Sequence, residues 1–217
     1  MNEQLQSLEA IHDIKRMMER SSRFISLSGL SGVGAGICAL VGAALAWPYI
    51  YSGKEVSMYP ETSLIMALDN DPATVFTLWL FWIALGTLIA AVLVAFLFTW
   101  RKSKQQHQKV WDATARRMTI NLAIPLLAGA VLLLKLIMLS QVALLAPTTL
   151  IFYGLALVNA SKYTLGEIRY LGYCQLLLGF INLWLPDAGL YFWATGFGLM
   201  HIFYGLYMWK KYDSKQD

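Results

Sequence analysis

The sequence predicts an all-α integral membrane bundle: six transmembrane helices arranged as three hairpins, both termini cytoplasmic, preceded by an amphipathic helix. Three observations predict it. Apolar segments near the roughly 20 residues that a hydrocarbon core of about 30 Å demands recur six times. All but two of the 17 Lys and Arg residues fall on one side of that alternation. Charged residues are only 14% of the chain, where soluble domains run near ~25%, and the mean hydropathy is +0.53.

The first element is the stretch 1–23. Leu5, Leu8, Ile11, Ile14 or Lys15, and Met18 recur at near-helical intervals, with Glu3, Glu9, Asp13, Arg16 and Glu19 elsewhere on the wheel. A cytoplasmic amphipathic helix is expected, lying on headgroups or packing under the bundle, with a partner-binding or self-pairing role as the alternative. The six spans, 24–51, 73–100, 118–139, 142–160, 168–185 and 190–209, make one membrane domain, 24–209, followed by a short tail, 210–217. The first span follows a long region containing Glu3, Glu9, Asp13 and Glu19 and has no short apolar core ending at a small-residue site, so it is kept as a permanent helix rather than a cleaved signal. Between the first two spans, Leu64, Ile65, Met66 and Leu68 after Pro60 suggest a short interfacial helix. The segment 101–117, basic and polar apart from Val110 and Trp111, is expected to be a solvated linker.

Orientation follows from charge. Lys15, Arg16, Arg20 and Arg23, then Arg101, Lys102, Lys104, Lys109, Arg116 and Arg117, then Lys162 and Arg169, and finally Lys210, Lys211 and Lys215 share one face. The positive-inside rule makes that face cytoplasmic. Opposite it, Lys54 stands against Glu55, Glu61, Asp69, Asp71 and Asp187; Lys135, inside the third span, is the other exception and is expected to snorkel to the surface. Trp47, Tyr51, Trp184 and Tyr191 gather toward the acidic face and Trp100, Tyr170, Tyr207 and Trp209 toward the basic one, as interfacial belts do. The formal charge of +4 is therefore juxtamembrane and directed at lipid headgroups, which argues against nucleic acid as a partner.

Glycine placement is the next signal. Gly29, Gly32 and Gly36 in the first span, and Gly196, Gly198 and Gly205 in the last, form small-residue seams that predict close helix packing, against sister helices or a second protomer. Gly172 and Gly179 repeat at the same interval of seven that separates Gly189 from Gly196. Polar groups at depth are few: Asn121, Lys135, Gln141, Asn159, Gln175, Asn182 and His201. No Asp or Glu sits at mid-membrane, so the carboxylate typical of a proton-coupled pump is missing. His201 could ligate a metal, shuttle protons or activate a nucleophile; donation to a neighbouring carbonyl, fastening two helices, is the expected role. His12 and His107 lie outside the spans and Cys38 and Cys174 read as small apolar groups, so no metal, cofactor or disulfide is expected. Glu167 and Arg169 are expected to pair at the surface.

Two resemblances bear on function. The stretches 18–29, 158–163, 167–172 and 196–205, which include Glu19-Arg20-Ser21-Ser22-Arg23-Phe24, Val158-Asn159-Ala160-Ser161-Lys162-Tyr163 and Gly198-Leu199-Met200-His201, resemble a family of bacterial inner-membrane proteins that carries no assigned activity. That resemblance implies the six-span topology and a bacterial inner-membrane location, and transfers no site. If these segments meet, Arg20, Arg23, Asn159, Lys162, Glu167, Arg169 and His201 form a polar cluster at the cytoplasmic side. Separately, Gly29-Leu30-Ser31-Gly32 resembles the GxSG pattern of rhomboid intramembrane proteases, which would make Ser31 a nucleophile and His201 its base. The serine helix comes first here rather than fourth, and the rhomboid oxyanion residues and Trp-Arg loop are absent.

The functional expectation is a non-enzymatic membrane module, sensing, regulatory or scaffolding, that acts through its cytoplasmic face on lipid, a second copy or a protein partner. A small-solute transporter or channel is the alternative, with Pro125 and Pro147 as the candidate helix breaks. The Ser31/His201 hydrolase is the remote third.

Overall fold

The computed structural model describes residues 28–51, 72–105 and 111–213, and every regular element among them is helical. The N-terminal helix, the 52–72 interfacial helix, Arg20 and Arg23 fall outside those residues, apart from Pro72. We number the helices α1 (Gly29–Tyr51), α2 (Pro72–Gln105), α3 (Ala113–Met138), α4 (Leu145–Ala160) and α5 (Glu167–Trp184). The last helix, α6, runs over 189–213 and is not uniform. Gly189–Trp193 is α-helical, Ala194–Met200 is π-helical, His201–Met208 is α-helical again, and Trp209–Asp213 is a second π-helical stretch.

Among the described residues, four helices are long and apolar enough to cross a membrane: Gly29–Tyr51, Trp79–Gln105, Ala113–Met138 and Val142–Tyr163, the last counting the 3-10 turns that flank α4. By contrast α5 has 18 residues, and the longest unbroken α-helical stretch of α6 has 8. The linker expected over 101–117 is mostly helix. α2 continues through Arg101, Lys102 and Lys104 to Gln105, and α3 begins at Ala113. Asp112 starts α3 as its N-cap, its carboxylate accepting from the Ala115 N–H at 2.6 Å, which satisfies a donor that the first turn leaves without an intrahelical partner.

α3 ends in a tight reversal that sets α4 beside it. The Ser140 N–H donates to the Ile137 carbonyl at 3.0 Å and the Gln141 N–H to the Leu136 carbonyl at 2.9 Å, the paired bonds of a Schellman cap. Ser140 occupies the left-handed position of that cap, φ 56°, where glycine is usual.

The helices pack in the order α2, α1, α6, α5, α4, α3, so the core is α1, α6, α5 and α4, and each flanking helix leans on one neighbour. A glycine marks each interface. Between α1 and α6, a methyl on Gly36 would stand 2.7 Å from the Gly198 carbonyl oxygen, and one on Gly205 2.6 Å from the Val33 nitrogen. Gly29 abuts the Trp209 backbone. Gly34 and Gly42 turn the other way, against Val94 and Thr87 of α2. A methyl on Gly154 would meet the Gly172 carbonyl at 2.9 Å and one on Gly179 would meet Ile151 Cγ1 at 2.7 Å, closing α4 on α5; Gly129 seats Phe152 between α3 and α4. Without water to drive helices together in lipid, such close approach supplies dispersion contacts. At the acidic end, Trp47 packs on Tyr191 with ring centres 5.1 Å apart and the Tyr51 hydroxyl donates to the Asp187 carbonyl at 3.1 Å, confirming that α1 and α6 run antiparallel.

A graded substitution series checks this packing. Gly36→Ala and Gly205→Ala place a methyl against backbone atoms and should each cost about 1–3 kcal/mol. Gly32→Ala, whose methyl would lie 3.3 Å from Gly205 Cα, should cost less. Gly86→Ala on α2, with nothing within 4 Å, should gain up to about 1 kcal/mol from helix propensity alone. Thermal unfolding in one detergent ranks all four.

Candidate functional site

Two polar centres stand out, one inside the bundle and one at its basic end. The inner centre is built on the backbone carbonyl of Gly196, in the π-helical turn of α6. It accepts from Gln175 Nε2 of α5 at 2.7 Å and from His201 Nδ1 at 3.0 Å, five residues along its own helix. A carbonyl oxygen only accepts, so Nδ1 carries the proton. In the neutral ring Nε2 is then an acceptor, and the Tyr153 hydroxyl of α4, 2.8 Å away, donates to it. Three helices thus meet in one chain of hydrogen bonds. Phe197 lies parallel to the imidazole, 6.0 Å between ring centres, and packs on Tyr153 and Trp193 at 5.0 and 5.1 Å.

Glycine is what allows the approach. A side chain at 196 would run into Gln175 Oε1 and Leu150 Cδ2, each 2.5 Å from the position of a methyl. Gln175 and Leu150 are fully buried. Gln175 Oε1 has no hydrogen-bond partner, and neither has Oδ1 of the equally buried Asn182 two turns further on, whose amide donates to the Leu185 carbonyl at 2.8 Å. π-helical turns recur at functional sites because the widened turn disturbs the ordinary backbone ladder. Here the carbonyl at the turn accepts from two side chains.

The basic-end centre is Glu167, the first residue of α5. Its Oε1 accepts from Lys211 Nζ and, at 2.8 Å, from the Tyr212 hydroxyl, both in the final π-helical turn of α6. Burial pushes the Glu167 carboxyl up, but the hydrogen bonds from Lys211 and Tyr212, its own backbone N–H and the Lys211 charge outweigh this and hold it below its ordinary range. The bond to Glu167, with its charge, raises Lys211. Burial, followed by the bond to Glu167, raises Tyr212. Beneath this pair lies an apolar cluster of Leu157, Leu165, Ile168, Leu171 and Met208, against which Tyr212 also packs.

Of the expected cluster, Arg20 and Arg23 lie outside the described residues, and Glu167 and His201 belong to separate arrangements. Glu167 pairs with Lys211, not with Arg169, because residues two apart on a helix do not face each other and the end of α6 comes beside its carboxylate. Arg169 is exposed and turns to Ser161 Oγ at 3.4 Å. Lys162 is exposed on the turn after α4, and Asn159 ties α4 to α3 through the Asn121 carbonyl at 2.9 Å. His201 sits in the inner centre. The Ser31 hydroxyl donates to the Ser28 carbonyl at 2.5 Å, while both imidazole nitrogens of His201 are engaged by Gly196 and Tyr153, so the two residues are not joined as a catalytic dyad. Among the described residues no group of three His, Cys, Asp or Glu side chains is placed to hold a metal. Neither Pro125 nor Pro147 marks a π-helical turn: Pro125 sits within α3, Pro147 in the first turn of α4, and the wide turn is in α6, at Ala194–Met200. Tyr153, Lys211 and Tyr212 were missed as partners because nothing in local spacing links them to residues 48, 44 and 45 positions away.

Known protein families, curated proteins and solved structures were compared with the chain, and none matches.

Tyr153→Phe keeps the ring but leaves His201 Nε2 without its donor, and should cost about 1–3 kcal/mol in thermal unfolding, with His201→Phe added on top costing little more. The basic-end pair has a pH signature. A carboxyl depressed on folding contributes stability above its unfolded value, near ~4.3, and loses it as pH falls through the folded value; a raised lysine contributes below ~10.4 and loses it as pH rises through its folded value. The melting-temperature difference between the wild type and Glu167→Gln should thus be flat across neutral pH and vanish in acid.

Proposed function

We propose that this chain is a six-span protein of the bacterial inner membrane, N-in and C-in, that acts without catalysis through its cytoplasmic face as a regulatory or scaffolding module. In this reading α5 and α6 are the fifth and sixth spans, and the Glu167–Lys211–Tyr212 end is cytoplasmic. The observation that carries it is the closure of α1 on α6. The glycine seam of α1 is filled by the backbone of α6 itself, at Gly198, Gly205 and Trp209, which makes the seam a packing device rather than a passage. What remains polar and reachable is the basic end, where Lys162, Arg169, Lys210 and Lys211 are exposed. Such a surface suits anionic headgroups or an acidic partner segment.

The π-helical turn supports a second reading, a small-solute transporter. Transporters bind substrate where a spanning helix is interrupted near the midplane, and α6 is interrupted beside the Gln175 Oε1, a buried amide oxygen without a partner.

Single cysteines, placed in a Cys38→Ala, Cys174→Ala background, separate the topologies. A cysteine at Asp187 should react with an impermeant maleimide from the periplasmic side only, and one at Lys210 from the cytoplasmic side only; labelling of both from one side would overturn the six-span arrangement. Purified protein in liposomes should leave ions and small solutes no more permeant than empty vesicles. Saturable flux abolished by Gln175→Leu would replace this reading with the transporter.

A further inference from the structure

We infer that the crook between α4 and α5 holds an anionic phospholipid, its phosphate on Arg169 and Lys162 and an acyl chain along the outer face of α5. The inference rests on the placement proposed above, with α5 as a span whose first turn lies at a membrane surface, and it names the partner of that basic end. The two flanks of α5 carry different things. Glu167 and Cys174 turn toward α6, the first to Lys211 and Tyr212 and the second to the Tyr204 hydroxyl at 3.7 Å. Arg169 turns the other way, to the 3-10 turn that ends α4, where its Nε donates to Ser161 Oγ at 3.4 Å. Ser161 is buried and donates its own proton to the Val158 carbonyl at 2.6 Å, so it is a fixed post. That bond engages the inner nitrogen of the guanidinium and leaves the side chain exposed, beside the exposed Lys162 that follows Ser161. The Glu167 carboxylate lies on the opposite flank and is already matched by Lys211, so it does not cancel this charge. Gly166 adds no side chain to the crook, and among the described residues nothing stands within 4 Å of a methyl placed there. A phosphate arriving here meets two positive charges, one of them a planar fork of donors shaped to its oxygens.

The face that continues from Arg169 selects a lipid over a free anion. Tyr173, Leu177 and Phe180 follow at i+4, i+8 and i+11, the spacing of one helix face, and all three are exposed. From Arg169 to Phe180 is about 16 Å of helical rise, which matches the depth of one leaflet, about 15 Å. A free phosphate would use the crook and ignore that strip, whereas a diacyl phospholipid uses both. Charge then selects among lipids. A headgroup with its own ammonium brings a cation up to Arg169 and Lys162, and like charges repel; phosphatidylglycerol brings none.

Native mass spectrometry of the purified full-length protein, offered equal amounts of phosphatidylglycerol and phosphatidylethanolamine, should show phosphatidylglycerol retained several-fold over the zwitterionic lipid. Arg169→Gln with Lys162→Gln should abolish that preference, and an unchanged melting temperature in phosphatidylethanolamine alone checks that the variant folds. Lys162→Gln by itself, on an exposed side chain, should lower the preference, while Lys210→Gln, an exposed base on α6, should leave it intact. Equal retention of the two lipids, a preference indifferent to the substitutions at 162 and 169, or one lost equally with Lys210→Gln would each overturn the proposal. So would displacement of the lipid by excess inorganic phosphate, which would make the crook a site for a free anion. The lipid readout needs no sidedness and the maleimide labelling needs no bound lipid, so failure of this site is distinguishable from failure of the six-span topology.

Discussion

Backbone-to-backbone contact between α1 and α6 is the constraint on which the rest of the bundle depends. Two helices that meet at Gly29, Gly32 and Gly36 on one side and Gly198 and Gly205 on the other lie closer than side chains would permit. That proximity fixes the rotation of both. On α1, turning the seam toward α6 leaves Gly34 and Gly42 facing α2, so the same helix carries a second interface on its opposite flank. On α6 it sends Gly196 toward α4 and α5, and the polar chain through Gln175, His201 and Tyr153 follows from that direction.

The π-helical turn then has a physical account. In an unbroken α-helix a carbonyl at position 196 would be served by the N–H four residues on. At the widened turn two side-chain donors, Gln175 of α5 and His201 of α6 itself, converge on it. A buried amide and a buried imidazole, each expensive to leave unmatched, thereby each place one N–H on a single oxygen. The oxygen of the same Gln175 amide, Oε1, is left without a partner.

Much of the architecture was legible in the sequence. The all-helical class and the apolar helices follow from composition and segment length, since hydrocarbon thickness leaves little choice. The seam residues were visible as glycines at repeating intervals, although periodicity does not say which helix a seam meets. The site was far less legible. His201 and Gln175 were marked only as polar groups at depth, and their link through Gly196 depends on a widened turn that leaves no simple pattern in residue types. Glu167 was assigned the nearest base along the chain, Arg169, because a linear reading weighs sequence neighbours; the folded chain brings Lys211 from 44 residues away. The extension of α2 through Lys102 and Lys104 was hidden by polarity, which marks where a helix leaves lipid, not where it ends.

The pairing of α1 with α6 also dictates an order of events during synthesis. Among the described helices α1 is the first to emerge and its principal partner, α6, is the last. Until α6 has been made, the Gly29–Gly36 seam lacks the backbone that fills it, and α1 is held on one flank by α2 alone. The contacts that complete the core are thus among the longest in sequence that the domain contains, and their closure entropy is met at the end of translation rather than progressively. A chain stopped before residue 189 would keep the α1–α2, α3–α4 and α4–α5 interfaces and lack both of those that α6 makes, with α1 and with α5, leaving two half-bundles with nothing to join them.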